Sequence, residues 1–213
     1  MENAAVDVLV WGTRKDSYRG EIKTSEAICS AVVLVRGGGH NIIVDPGAMG
    51  YAGEVIAGLK AHGLSPSDVD IVVNTHPHLD HVYNDYLFER AVIYTPTSVW
   101  HQGGVNRVVM YPDITAAGIP VVELMNTPGH MDRHISVLVR SGAKVIAVAG
   151  DAIRQSIIEA GEVPKKYSHA GEYLESMRLL LDAADEIIPG HGAFIGEDKI
   201  RLFRQIVRDI RVL

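Results

Sequence analysis

Four runs of apolar, largely β-branched residues, each followed by a turn former and then by a histidine or aspartate, constrain this chain more than any other feature. They are Val69-Asp70-Ile71-Val72-Val73 ahead of His76-Pro77-His78-Leu79-Asp80-His81, and Val121-Val122-Glu123-Leu124-Met125 ahead of Thr127-Pro128-Gly129-His130. The other two are Lys144-Val145-Ile146-Ala147-Val148 ahead of Ala149-Gly150-Asp151, and Glu186-Ile187-Ile188 ahead of Pro189-Gly190-His191-Gly192. Short apolar runs bounded by Pro and Gly read as buried strands. Four strand ends that carry His or Asp can bring those side chains to one edge of a sheet. Pro77 has no N–H and cannot extend a central strand, so residues 76–81 are expected to form a loop turned toward that edge.

The donor set has a chemistry of its own. Five imidazoles and two carboxylates are enough for two metal ions, each keeping a position open for water or substrate. Imidazole with some carboxylate and no thiolate suits Zn²⁺ first and also admits Fe or Mn. An isolated histidine would be unremarkable; seven donors placed after strands are not.

In this order, HxHxDH and then His, Asp and His, the chain resembles the metallo-β-lactamase superfamily. The resemblance runs from the Ser30-to-Gly47 segment, with its Val44-Asp45-Pro46-Gly47 motif, to the last helix. It implies an α/β fold, a four-layer αββα sandwich. It also implies that His76, His78 and His130 hold a first metal, that Asp80, His81 and His191 hold a second, and that Asp151 bridges them. Two metals roughly 3.5–4 Å apart share a water and lower its pKa, giving a hydroxide nucleophile without a separate base. Asp80 is then placed to orient that hydroxide and carry a proton, as the catalytic side chain. Asp45 is either a partner of a ligand imidazole or a turn residue capping its own backbone.

With 213 residues and 47% apolar content, one domain spanning 1–213 is expected. The N-terminus has no basic or apolar leader pattern, and no stretch is long and apolar enough for a bilayer, so a soluble cytoplasmic protein without a membrane partner is expected. A net charge of −6 does not recommend a nucleic-acid partner. Cys29, flanked by apolar residues, reads as a small core residue with no base or cation to activate it.

Elsewhere the patterning predicts an opening strand at Val6–Trp11 and a hairpin of Ala31–Val35 with Asn41–Val44 around Gly37-Gly38-Gly39. It predicts helices from about Gly50 to Ala61, Gly171 to Ala184 and Asp198 to Val212, and a second hairpin from Ile135 to Ala149. The stretches Thr95–Pro120 and Ile153–Ala170 read as irregular loops. By the resemblance they border the metals, which nominates Trp100, His101, Lys165, Lys166, Tyr167 and His169 as substrate contacts. The last helix carries Arg201, Arg204, Arg208 and Arg211 opposite an apolar face.

Departures narrow the resemblance. An aspartate at 151 argues against a true β-lactamase. The little chain after His191 argues against the helical domain of glyoxalase II, and the length argues against the insertion of the RNA-cleaving branch. The compact metallo-β-lactamase domain-containing group is closest, sharing Asn84, Asp132 and Glu175-Ser176. The expectation is a dinuclear hydrolase of a small-molecule ester, thioester or lactone, with a homodimer left open. The alternatives are an RNA phosphodiesterase, which the resemblance implies weakly, and a mononuclear iron oxidoreductase using only His76, His78, His130 and Asp151.

Overall fold

The computed structural model describes residues 3–13, 28–101, 106–108 (backbone course alone), 119, 121–163 and 169–210. Seven strands form the first sheet: β1 (Ala5–Val10), β2 (Val32–Gly37), β3 (His40–Val44), β4 (Ile71–Val73), β5 (Val92–Thr95), β6 (Ser98–Trp100) and β7 (Asn106–Val108), hydrogen-bonded in that order. Gly38 and Gly39, at φ 60 and 79, make the tight turn between β2 and β3. The second sheet holds β8 (Val122–Asn126), β9 (Ile135–Ser141), β10 (Lys144–Gly150) and β11 (Glu186–Pro189), in the order β11-β10-β9-β8.

Strand alternation divides the apolar side chains among three interfaces. Val33, Val35, Val44 and Val73 of the first sheet share one buried cluster with Ile135, Val137, Val139 and Val148 of the second. The intervening positions Val32, Leu34, Ile43 and Val72 pack outward on Val55 and Leu59 of α1 (Ala52–Ala61). On the far side, Leu138, Ala147, Ala149 and Ile187 meet α4 (Ala170–Ala183) and α5 (Glu197–Asp209). Three apolar interfaces separate four layers, and the αββα sandwich follows. Tyr173, Leu174, Met177, Leu180 and Leu181 give α4 the apolar stripe that fixes its rotation against the sheet.

Three expectations change. Residues 76–81 are a loop only as far as His78; α2 (Leu79–Val82) then begins, because His78 sits extended at φ −67, ψ 140 as its N-terminal cap. The stretch from Thr95 is not all loop: Thr95 Oγ1 accepts the Ser98 amide at 3.0 Å and closes a turn from which β6 and β7 continue the sheet. Within 153–170, α3 (Gln155–Ala160) buries Ile157 and Ile158 and stops where Gly161 adopts φ 71. The closing helix ends at Asp209. Among the described residues, no helix is long and apolar enough to cross a membrane.

The strand directions place the site. β9 runs antiparallel to both β8 and β10, and β10 runs parallel to β11, so β8, β10 and β11 point the same way. Their C-terminal ends deliver His130, Asp151 and His191 to one edge, where the segment after β4 brings His76 to His81.

Candidate metal centre

Backbone hydrogen bonds sew the ligand loops together before any side chain is considered. Ser30 and Gly47 amides donate to the carbonyls of Asp80 and His81 at 3.0 and 2.8 Å, Gly190 donates to Gly150 at 2.7 Å, and Ile135 donates to Thr75 at 2.9 Å. Gly150, at φ 50, is required both by its backbone and by space: a Cβ would lie 2.5 Å from Thr75 Oγ1 and 2.9 Å from His134 Nε2. The His130 loop is held against α4. A Cβ on Gly129 would come within 2.3 Å of the Tyr173 backbone, and Ser176 Oγ donates to the Pro128 carbonyl at 2.7 Å.

Three groups of donors converge, each with its ligand atoms within 4.8 Å of one another: His76, His78 and His130; His76, His81 and Asp151; and Asp80, His81 and His191. All seven residues expected from the sequence are therefore brought together. In the first group, His78 Nδ1 lies 2.9 Å from His76 Nε2 and 3.1 Å from His130 Nε2. Asp151 faces both ways: its Oδ1 is 3.6 Å from His81 Nε2 and 3.5 Å from His191 Nε2, and its Oδ2 is 3.3 Å from His130 Nε2. Asp80 Oδ2 lies 3.1 Å from His191 Nε2.

The surrounding hydrogen bonds decide which ring nitrogen faces inward. Asp45 Oδ2 accepts from His81 Nδ1 at 2.7 Å and from Thr75 Oγ1 at 2.8 Å, while its Oδ1 accepts the Thr75 amide at 2.8 Å. With its proton spent on Asp45, Thr75 Oγ1 is left to accept from His76 Nδ1, 3.0 Å away. His191 Nδ1 donates to the Thr13 carbonyl at 3.2 Å. His76, His81 and His191 thus each use Nδ1–H outward and turn Nε2 inward, the nitrogen that metal-ligating histidines offer. Burial lowers His81, but Asp45 and Asp151 override it and raise the ring to about 10, so a metal ion bound there would displace its Nε2 proton. Of the two roles weighed for it, Asp45 takes the first: its carboxylate oxygens go to Thr75 and His81, and the Gly47 amide donates to the His81 carbonyl rather than to Asp45. It orients two rings, and at φ 51 it is the one positive-φ residue other than glycine among those described, its turn held by Asn84 Nδ2 donating to the carbonyls of Pro46 and Ala48.

Such a set fits a cation. His81 Nε2 and Asp151 Oδ1 are buried, face one another at 3.6 Å and have no hydrogen-bond partner among the described residues, and a buried pair left so is costly unless something between them binds both. Burial pushes His76 far below the ordinary imidazole range and His130 down to about 4, so both rings are neutral ligands at pH 7. Burial opposes charge on Asp151 as well, but His81, Arg154 and His191 override it and hold the carboxylate well below its usual range. Asp80 is likewise held down, against its burial, by His191 and His81.

Two residues here escaped the sequence reading. His134 is fully buried; its Nε2 accepts the Asp151 amide at 3.2 Å, so its Nδ1 carries the proton, donated to Thr127 Oγ1 at 2.9 Å. Arg154 places its guanidinium on Asp151 Oδ2. His134 follows His130 by four residues, the one signal that could have found it.

A cavity of about 610 Å³ opens on His76 and His130 and includes His169, which pairs with Asp132 at 2.9 Å. Trp100 and His101 line an adjacent cavity of about 330 Å³. Lys165, Lys166 and Tyr167 lie outside the described residues. Cys29 is buried with its thiol pushed up to about 11 by burial, a core residue as expected. On α5, Arg204 Nε donates to the Leu181 carbonyl at 2.7 Å, closing the last turn of α4, and Arg201 pairs with Asp198.

A family model described as the metallo-beta-lactamase superfamily matches residues 28–191. Metallo-beta-lactamase domain-containing protein 1 of Xenopus laevis is 32% identical over 197 residues, covering 88% of this chain and 79% of that one. A protein of Methanocaldococcus jannaschii named a probable metallo-hydrolase is 30% identical over 162 residues, 75% of this chain and 74% of that one. Among solved structures, metallo-β-lactamase SMB-1 superposes with a TM-score of 0.61 at 17% identity, covering 85% and 87% of the two chains, a likeness of fold alone.

Proposed function

Because the chain belongs to the metallo-β-lactamase superfamily, we propose that it is a hydrolase working with two divalent metal ions, zinc first, on a small ester, thioester or lactone. The observation that carries this reading is the division of Asp151, with Oδ1 toward His81 and His191 and Oδ2 toward His130, the disposition a bridging carboxylate needs. His76, His78 and His130 would hold one ion, and Asp80, His81 and His191 the other. Bound there, divalent ions supply Lewis acidity and a water acidified toward neutral pH.

The rest of the work falls to side chains. Asp45 and the Thr13 carbonyl keep Nε2 of His81 and His191 turned inward, so the rings need not rotate on binding. Asp80, partly exposed, points Oδ2 at His191 and leaves its other oxygen to take a proton from attacking water and pass it to the leaving group. The cavity beside His76 and His130 holds the acyl part.

The test is elemental analysis of protein purified without added metal, together with hydrolysis of aryl esters, thioesters and lactones before and after chelation. Two metals per chain and chelator-sensitive turnover restored by zinc are expected. One iron per chain with no hydrolysis would replace the reading by the oxidoreductase one, and cleavage of single-stranded RNA alone would replace it by the phosphodiesterase one.

A further inference from the structure

The cavity wall carries a polar pair that the metal ligands do not use. Asn74 directly follows β4, with its amide donated to the Tyr94 carbonyl at 2.8 Å, and Asp85 lies in the helical turn Tyr83–Leu87 that continues α2. Asn74 Nδ2 donates to Asp85 Oδ2 at 2.7 Å. That bond leaves two oxygens, Asn74 Oδ1 and Asp85 Oδ1, shielded from bulk solvent with no donor among the described residues to meet them. Asn74 is only 4% exposed. Bracing the end of β4 requires only the bond already made; an idle pair of buried acceptors is a cost that a purely structural role does not explain.

Position supplies the explanation. Asn74, Asp85 and Thr95 line both the cavity that opens on His76 and His130 and the neighbouring one that reaches Trp100 and His101, so the pair stands at their junction. Burial raises the Asp85 carboxyl to about 7, the Asn74 hydrogen bond pulling the other way and the Asp45 charge adding to the rise. A donor brought against the group favours its carboxylate form. Rotation about the last torsion, soft for a carboxyl, presents Oδ1 to such a donor.

We propose that Asn74 and Asp85 form a recognition subsite that accepts hydrogen bonds from an amine or hydroxyl group on the substrate. The proposal rests on the hydrolase reading for what is cleaved, and adds what the uncleaved part of the molecule must carry.

Matched aryl esters whose acyl chains end in an amine, a hydroxyl or a methoxy group test it on the metal-loaded enzyme. The wild type should prefer a donor-bearing chain over methoxy by at least about tenfold in kcat/KM, since a buried acceptor left unpaired penalises the analogue that lacks the donor. An amine ahead of a hydroxyl marks the carboxylate form, and the reverse marks the neutral one. Asp85→Asn keeps an acceptor for Asn74 and puts a donor where the second carboxylate oxygen stood, so the preference should collapse or invert at unchanged metal content. Asp85→Leu should abolish it. A preference equal in all three proteins overturns the proposal. Saturation-transfer NMR with butylamine, butanol and methyl propyl ether separates this from the parent reading. Signals from amine or alcohol that vanish in Asp85→Leu uphold the subsite even where no ester is cleaved, and equal signals from all three compounds in the wild type overturn it.

Discussion

Asp45→Asn is the substitution that most directly probes how the centre is held. The carboxylate accepts three hydrogen bonds, from the Thr75 amide, Thr75 Oγ1 and His81 Nδ1. An amide of the same shape can keep the first through its oxygen, but its NH₂ then meets two donors. His81 must give up its bond or move its proton to Nε2, the atom it offers to the metal, and Thr75, now accepting from the amide, no longer directs His76. A hydrogen bond to a charged group is worth about 1.5–3 kcal/mol, and about 1.4 kcal/mol is tenfold in an affinity. The loss at the His81 site is therefore expected at about 10–100-fold, with a smaller loss at the His76 site, where the effect passes through one hydroxyl. Competition titration against a chromophoric chelator measures both steps. Thr75→Val is the control, since it should weaken the His76 site while His81 keeps its carboxylate. If Asp45→Asn binds metal as the wild type does at both sites, Asp45 is a turn residue and the orientation argument fails.

Asp151→Ala is expected to lower metal content at both sites, whereas His191→Ala should empty one; elemental analysis showing loss of a single equivalent in each would rule out the bridge. Arg204→Gln should cost about 1 kcal/mol in chemical denaturation through the lost closure of α4, and Arg201→Gln with Arg204→Gln should leave any binding of single-stranded RNA and its salt dependence as they were. A slope flattened by about one counterion per arginine would instead assign them to phosphate contacts. Burial pushes His134 down to about 3, below the ordinary value of 6.5 for the unfolded chain. The unfolded state then takes up the proton first, so this ring's contribution is intact above about pH 6.5 and is lost as pH falls. By pH 5 the metal-free protein should be about 2 kcal/mol less stable on this account. His134→Gln should flatten that part of a denaturation series, and an unchanged slope would mean the ring is not neutral and buried as described.

The parts of the fold legible in the sequence are those whose signal is local. Val32 to Val35 and Ile135 to Val139 alternate between two buried clusters, and the stripe from Tyr173 to Leu181 has helical spacing, so strand and helix could be read from each segment alone. β6 and α3 were not legible because neither is long enough to show a period. β6 has three residues anchored by the Thr95 turn, and α3 has six, held by Ile157 and Ile158 in the cluster they share with Ile200 and Phe203 of α5. α2 was hidden by Pro77, which forbids a strand but says nothing against a helix two residues later.

The candidate site divides along the same line. His76, His78, His81, His130, Asp151 and His191 stand at strand ends or in one short motif, and spacing exposes them. What turns their nitrogens inward is contributed from afar: Asp45 lies 30 residues before Thr75 and 36 before His81, and the Thr13 carbonyl lies 178 before His191. No local pattern encodes such a partnership, because only the folded chain closes those distances. Asp85 adds the complementary case. Its place four residues after His81 reads as an ordinary helical-turn aspartate, and only the cavity on either side of it, with an Asn74 oxygen idle beside its own, gives it something to recognise. The motif therefore identifies the metal chemistry, while the choice of substrate is carried by residues whose meaning depends on what the fold sets beside them.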